Sequence, residues 1–149
     1  MRMTELRRCN RGAEIAEMAL LLPLLCFLCF GIIEVSEFVR VHQVINNAAR
    51  EGARLSSLPE NAPDSNGSHT ADIKQAVATY AQSNGITLPL GNITIDQGRT
   101  ITTSDGTVLT ASQATVTYAY PLLYIPTMTY STMPGTINLS AKAEFRNFY

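Results

Sequence analysis

RRCNRGAEIAEMALLLPLLCFLCFGII, residues 7–33, decides the fold. Residues 18–33 carry no charge, yet Glu14 and Glu17 stand at the mouth of that run. A charged side chain in a lipid-spanning helix costs roughly 2.5 kcal/mol or more at the bilayer centre, and less near the interface. The uncharged run is 16 residues long, short of the ~20 needed to cross a hydrocarbon core of ~30 Å. Counted from 13 to 33 it reaches 21 residues, which is enough if both glutamates sit near the interface. The run ends GIIEVSE, residues 31–37, without the small-residue pattern of a secretory cleavage site. Arg2, Arg7, Arg8 and Arg11 precede it, opposed only by Glu5. That asymmetry predicts a cytoplasmic N-terminus, a single span and an exported remainder. Pro23 falls inside the run, where a membrane helix accommodates it with a mild kink.

The helix is expected to outlast the membrane. In EVSEFVRVHQVINNAAREGARLSSLP, residues 34–59, an apolar stripe recurs at Phe38, Val41, Ile45, Ala48, Gly52 and Leu55, alternating three and four apart. Glu34, Glu37, Arg40, Arg50 and Arg54 fall mostly off that stripe. Pro59 and the loop-like ENAPDSNGS stop it. A helix over about 13–57 would be ~65 Å long, apolar all round in its first half and amphipathic in its second. The stripe fits a helix packed on its own domain, and it equally fits a surface that also meets other subunits.

A cut between Gly12 and Ala13 would explain the glutamates. It creates an α-amine with a pKa of roughly 8, positively charged below that, four residues before Glu17. A carboxylate alone in lipid is penalised, so an amine on an adjacent copy supplies both a driving force and a register. The residues before the cut hold four arginines against Glu5, a net of +3, so their loss from a total of −1 leaves −4. An acidic remainder without a basic patch excludes a nucleic-acid partner.

Basic residues, a glycine, four residues, a glutamate and a long apolar helix resemble the class III signal of prepilins, cleaved on the cytoplasmic side by prepilin peptidase. RGAEIAEMALLLPLL, from Arg11, followed by NNAAREGAR, ending at Arg54, is similar to the TadE-like family, the pseudopilins or minor pilins of tight-adherence (Tad, Flp-type) type IV pilus systems. The resemblance spans residues 11 to about 55. It implies that Gly12 ends a cytoplasmic leader, that Ala13 is the mature N-terminus and that Glu17 is the pilin-type assembly glutamate. Met18 departs from the Phe or Tyr common there, and Glu14 is an extra acid near the cut. The implied partners are the inner membrane, the peptidase, other pilin subunits and the pilus assembly platform. The implied location is the bacterial inner membrane with a periplasmic C-terminal domain, and the extracellular pilus after assembly. Within NAAREGAR, Ala48, Ala49, Gly52 and Ala53 are read as small for close packing, with Arg50 and Arg54 either solvated or paired with acids of a neighbouring subunit.

Beyond Pro59 the chain turns to Thr, Ser, Asn and Gly. Thr70 is read as the N-cap of a second helix with Ile73, Ala76, Val77 and Tyr80 on one face and Asn84-Gly85 as its stop. Three or four strands are expected, near 92–97, 107–109, 113–122 and 136–145, with a hairpin turn at Ser104-Asp105-Gly106-Thr107. PLLYIPTMTYSTMPG, residues 121–135, is a Pro-punctuated loop and a candidate contact surface. The fold class is α+β and pilin-like: a leader at 1–12, a transmembrane half-helix at 13–33, an amphipathic half at 34–58 and a globular part at 59–149. With about 90 residues, that last part holds only a small core.

Catalytic constellations are missing from the sequence, and neither an enzyme nor a metal or other cofactor is expected. His42 and His69 are the only histidines, and Asp64, Asp72, Asp96 and Asp105 lack EF-hand spacing. Cys26 and Cys29 have the spacing of a redox or metal pair, but inside an apolar helix they serve as small hydrophobes. The competing function is an uncleaved, single-span anchored domain that binds an envelope partner.

Overall fold

The computed structural model describes residues 10–63, 68–122 and 135–149. Helix α1 runs over Asn10–Ser56 without a break and includes Pro23. Helix α2 covers Ser68–Ser83. Three strands, β1 (Ile93–Thr102), β2 (Val108–Pro121) and β3 (Thr136–Arg146), form an antiparallel sheet in the order β1-β2-β3. The expected α+β class, with a long apolar helix, a second helix and a small sheet, is what the chain adopts.

The sheet has one buried and one solvated face, as antiparallel sheets commonly do. Val116, Tyr120, Leu139 and Ala141 point at the helices and are buried, whereas Thr117, Ala119, Ser140 and Lys142 are exposed. The outer half of α1 lies across β2 and β3, with α2 beside it and over β1. Val41, Ile45, Ala48, Val77, Ile93 and Val116 meet in the resulting core. The buried face of α1 is wider than one stripe, because Val44, Ala49 and Ala53 are buried as well. A helix wedged between a sheet and another helix is covered on two sides.

Small residues make that wedge possible. A methyl group added at Gly52 would sit 2.8 Å from Val77 Cγ2 and 3.1 Å from Ala114 Cβ, inside the ~3.5–4.0 Å of ordinary carbon contact. Gly52 therefore lets α2 and β2 approach α1 at one level. This is the close-packing role expected of the small residues in NAAREGAR.

Several local expectations need correction. Thr70 does not cap α2, which begins two residues earlier at Ser68. Ala76 is exposed, and Ala81 takes its place on the buried face after Ile73 and Val77. The expected segments 107–109 and 113–122 are one strand: Ala111 and Ser112 bridge them by pairing with β3. β1 reaches Thr102 rather than Gln97, passing an irregularity between Asp96 and Arg99. Ile137 and Phe145 alternate in step with buried Leu139 and Ala141, so the period of β3 alone would turn them inward; at the ends of the strand they stay exposed because the core has run out.

The stop signals hold. Gly85 takes φ +79°, its N–H donates to Gln82 O at 2.9 Å, and Ile86 N–H donates to Ala81 O at 3.0 Å. That is a Schellman closure, with the buried Ile86 covering the helix end. Between β1 and β2, Gly106 at φ +84° turns the chain while Thr107 N–H donates to Asp105 Oδ1 at 3.1 Å. Residues 123–134 of the expected contact loop lie outside the described residues.

Candidate assembly surface along the long helix

The apolar half of α1 is bare. From Gly12 to Phe30 every side chain is exposed, including Leu20, Leu22, Phe27 and Leu28. By length and composition this is the one helix among the described residues able to cross a membrane, with 6% of its apolar window buried. Left in water such a surface is expensive, at roughly 25 cal/mol per Å² of apolar area. Lipid or other helices must cover it.

The expected cleavage residues lie at the start of this half. Gly12 and Ala13 are both helical and exposed, at the near end of the described part of α1. Nothing lies within 4 Å of a methyl group added at Gly12. A glycine there also weakens the local helix by about 1 kcal/mol relative to alanine. Glu14 and Glu17, one turn on, are exposed and pair with no described residue.

Arg50 and Arg54 are brought to the solvent face but differ in what they do. Arg54 grips Glu51 of its own helix with two bonds, Nε–Oε2 at 3.0 Å and Nη2–Oε1 at 2.7 Å. An exposed pair of this kind contributes ~0–1 kcal/mol. Arg50 pairs with no described residue and lines a shallow polar groove with Gln43, Asn46 and Asn47. The two arginines are therefore not one site.

His42 stacks on Phe38 with ring centroids 6.4 Å apart, and Asn46 Nδ2 donates to its carbonyl at 2.8 Å. His69 Nδ1 lies 3.0 Å from Ala62 O. Cys26 and Cys29 are free thiols on the apolar half. Among the described residues no three His, Cys, Asp or Glu side chains cluster as metal ligands.

Two polar junctions that fasten α1 to its domain escaped the sequence reading. Where the apolar run ends, Glu34 is buried and its Oε1 accepts the Tyr120 hydroxyl at 3.3 Å. Phe38 meets the Tyr120 ring edge-on at 5.6 Å. Burial, then the Glu34 carboxylate, push the Tyr120 hydroxyl up to about 12. At the other end, the orphan carbonyls of α1 are met by side chains from three elements. Ser56 O accepts Gln97 Nε2 at 3.0 Å, and Leu55 O accepts Asn61 Nδ2 at 2.9 Å. Ser112 Oγ lies 3.1 Å from Ser56 O and donates to Asn147 Oδ1 at 2.6 Å, while Asn147 Nδ2 donates to Gln97 O at 3.2 Å. Ser57 O takes the Phe148 N–H at 3.0 Å. The available signal was faint: a glutamate against the last apolar residue, and an asparagine near the C-terminus.

Compared with known proteins, residues 12–54 match the family model described as TadE-like protein, 43 of the chain's 149 residues. No curated protein and no solved structure matches the chain. The match covers the apolar half of α1 and nearly all of its amphipathic half.

Proposed function

We propose, from the TadE-like character of residues 12–54, that this chain is a minor pilin or pseudopilin of a Tad/Flp-type pilus, cleaved after Gly12 by prepilin peptidase. The observation that carries the reading is the bare apolar half-helix with Glu17 exposed one turn from its start. Before assembly that half, residues 13–33, sits in the inner membrane with the globular part in the periplasm. Cleavage frees the Ala13 amine, and Glu17 pairs with the amine of an adjacent subunit as the helices bundle. The bare helix surface then exchanges lipid for neighbouring pilin helices, guided by the assembly platform. Arg50, without a described partner, is the better placed of the two arginines to meet an acid of a neighbour; Arg54 would first have to leave Glu51.

The test is intact mass and N-terminal sequencing of membrane-extracted protein from cells with and without prepilin peptidase. A chain that begins at Ala13 only when the peptidase is present supports the pilin route. A chain that begins at Met1 in both sinks it and leaves a single-span anchored domain that binds an envelope partner.

A further inference from the structure

We infer that the lower edge of the globular part rests in the headgroup layer of the bilayer, so that the ends of β2 and β3 form a second, lipid-facing contact beside the helix. The inference rests on reading residues 13–33 as a span and adds to it a surface that the TadE-like match, at 12–54, does not reach.

The geometry begins with lengths. Twenty-one helical residues at ~1.5 Å each give about 31 Å, the thickness of the hydrocarbon core, so the boundary falls near Ile33 and Glu34. The headgroup layer beyond it is roughly 5–7 Å deep. Tyr120 bonds Glu34 at 3.3 Å, so its hydroxyl lies inside that layer. β2 runs antiparallel to α1, with Ser112 beside Ser56 and Tyr120 beside Glu34. Pro121 lies one residue beyond Tyr120 and pairs with Thr136, and Ile137 pairs with Tyr120.

Charge follows the same axis. The sequence holds no charged residue between Asp105 and Lys142. The charged residues of the sheet, Asp96, Arg99, Lys142, Glu144 and Arg146, all sit on rows pairing with Ala111 to Thr115, the end near Ser56. The rows from Thr117 to Pro121, with Thr136 to Ser140 opposite, have none. On α2 the charges are Asp72 and Lys74, in the half far from Arg40, whose guanidinium bonds Asn84 O at the near end. A soluble surface has no reason to sort its charges this way. A surface against lipid does, because uncharged and aromatic side chains are favoured at the interface and Tyr is enriched there. Ile137, 39% exposed, pairs with Tyr120, whose hydroxyl reaches Glu34 between the exposed Ile33 and Val35. The charges left at this level belong to α1 itself: Glu34 is buried, and Glu37 is paired with Arg40.

The chain has no tryptophan, so one introduced indole reports its own surroundings. The full chain would be placed in phosphatidylcholine–phosphatidylglycerol vesicles, with and without lipid brominated on its acyl chains. Single-tryptophan variants Ile137→Trp and Thr136→Trp probe the edge, Val108→Trp the far hairpin and Leu28→Trp the span. Two edge positions guard against one that disturbs folding, which circular dichroism checks. The expected result is blue-shifted emission largely lost to bromine at both edge positions and at Leu28, with Val108→Trp red-shifted and unquenched. Edge emission that matches Val108→Trp while Leu28→Trp is quenched overturns the inference and leaves the span intact. Quenching at Val108→Trp as strong as at the edge also overturns it, because the contact would then have no orientation. An unquenched Leu28→Trp overturns the span itself, and the edge contact with it.

Discussion

Gly52→Ala tests the packing at the centre of the fold. The substitution favours the helix by about 1 kcal/mol, because alanine loses less conformational entropy than glycine. Against that, the new methyl group lands 2.8 Å from Val77 Cγ2 and 3.1 Å from Ala114 Cβ. Val77 is β-branched, fully buried and held in a helix, where one side-chain rotamer dominates, so it cannot swing aside. Ala114 has no rotamer to change and is fixed by pairing with Ile95 and Ala143 on either side. α2 or the sheet must move, and overpacking of this kind costs ~1–3 kcal/mol. The net expectation is a loss of roughly 1–2 kcal/mol, or about 4–8 °C in Tm per kcal/mol for a domain of this size. Thermal unfolding of the full chain in detergent, followed by tyrosine near-ultraviolet circular dichroism, reads it. The double variant Gly52→Ala with Val77→Ala should lose less than the sum of the single losses, since the new methyl enters the space that Val77 vacates. A Gly52→Ala protein that melts at or above the parent temperature, or a strictly additive double variant, would refute the close approach of α1, α2 and β2.

The Tyr120 hydroxyl should ionise late, held up to about 12 against an ordinary 10.0. Because folding raises this pKa, its contribution to stability is whole below pH 10.0 and is lost as the pH climbs through about 12. Tyrosinate absorption of the parent minus that of Tyr120→Phe checks this, and a difference that titrates near 10.0 would contradict it. Asn147→Ala should cost ~1 kcal/mol by removing the closer acceptor of buried Ser112, whose hydroxyl keeps Ser56 O, and a donor to the Gln97 carbonyl; a denaturation midpoint equal to the parent's would show the network to be dispensable. Arg54→Ala should change stability by less than ~1 kcal/mol, its pair with Glu51 being exposed, as the same melt would read. Glu17→Ala should leave membrane insertion intact and abolish recovery of the chain in sheared pili, and normal recovery would remove Glu17 from assembly.

How much of this was legible in the sequence divides by the range of the interaction. The continuity of α1 was plain because charge-free length and a three-four apolar repeat are local signals, and so were the stops at Asn84-Gly85 and Asp105-Gly106. Val116, Tyr118 and Tyr120 alternate with Thr117 and Ala119 in the sequence, and that local period matches the inner and outer faces of β2. Strand ends failed where partners decide them. Ala111 and Ser112 look like a break, yet both are buried by the pairing with β3 and the approach of α1's last turn. The start of α2 failed because Thr70 offers a capping side chain that the helix, already begun at Ser68, does not need. Of the candidate site, Gly12, Ala13 and Glu17 were read from the charge pattern and the family resemblance, and the structure adds that all three are exposed on the apolar half of α1. Glu34 with Tyr120, and Ser56 with Ser112 and Asn147, could not be read that way. Their partners lie 86, 56 and 35 residues apart, and nothing in a single sequence ties such distant polar residues together.

Those two junctions settle what kind of object the long helix is. Glu34 and Ser56 are 22 residues apart, about 33 Å along the helix axis, and each is tied to the same strand, at Tyr120 and Ser112. Turning α1 about its axis would pull Glu34 away from Tyr120, and sliding it by one residue would uncouple Ser56 from Gln97 and Ser112. Between the junctions, buried Val41, Ile45, Ala48 and Gly52 key it into the sheet and α2. Apolar packing alone is non-directional and tolerates a sliding helix. Hydrogen-bonded polar groups at both ends do not, since each displaced group loses its partner inside the fold. The bare half of α1 therefore has its azimuth set by the globular part: Glu34 marks the side facing the sheet, and Glu17, 17 residues earlier and roughly 100° away around a regular helix, emerges off that side. Whatever binds the apolar half meets Glu17 at a fixed angle to the domain.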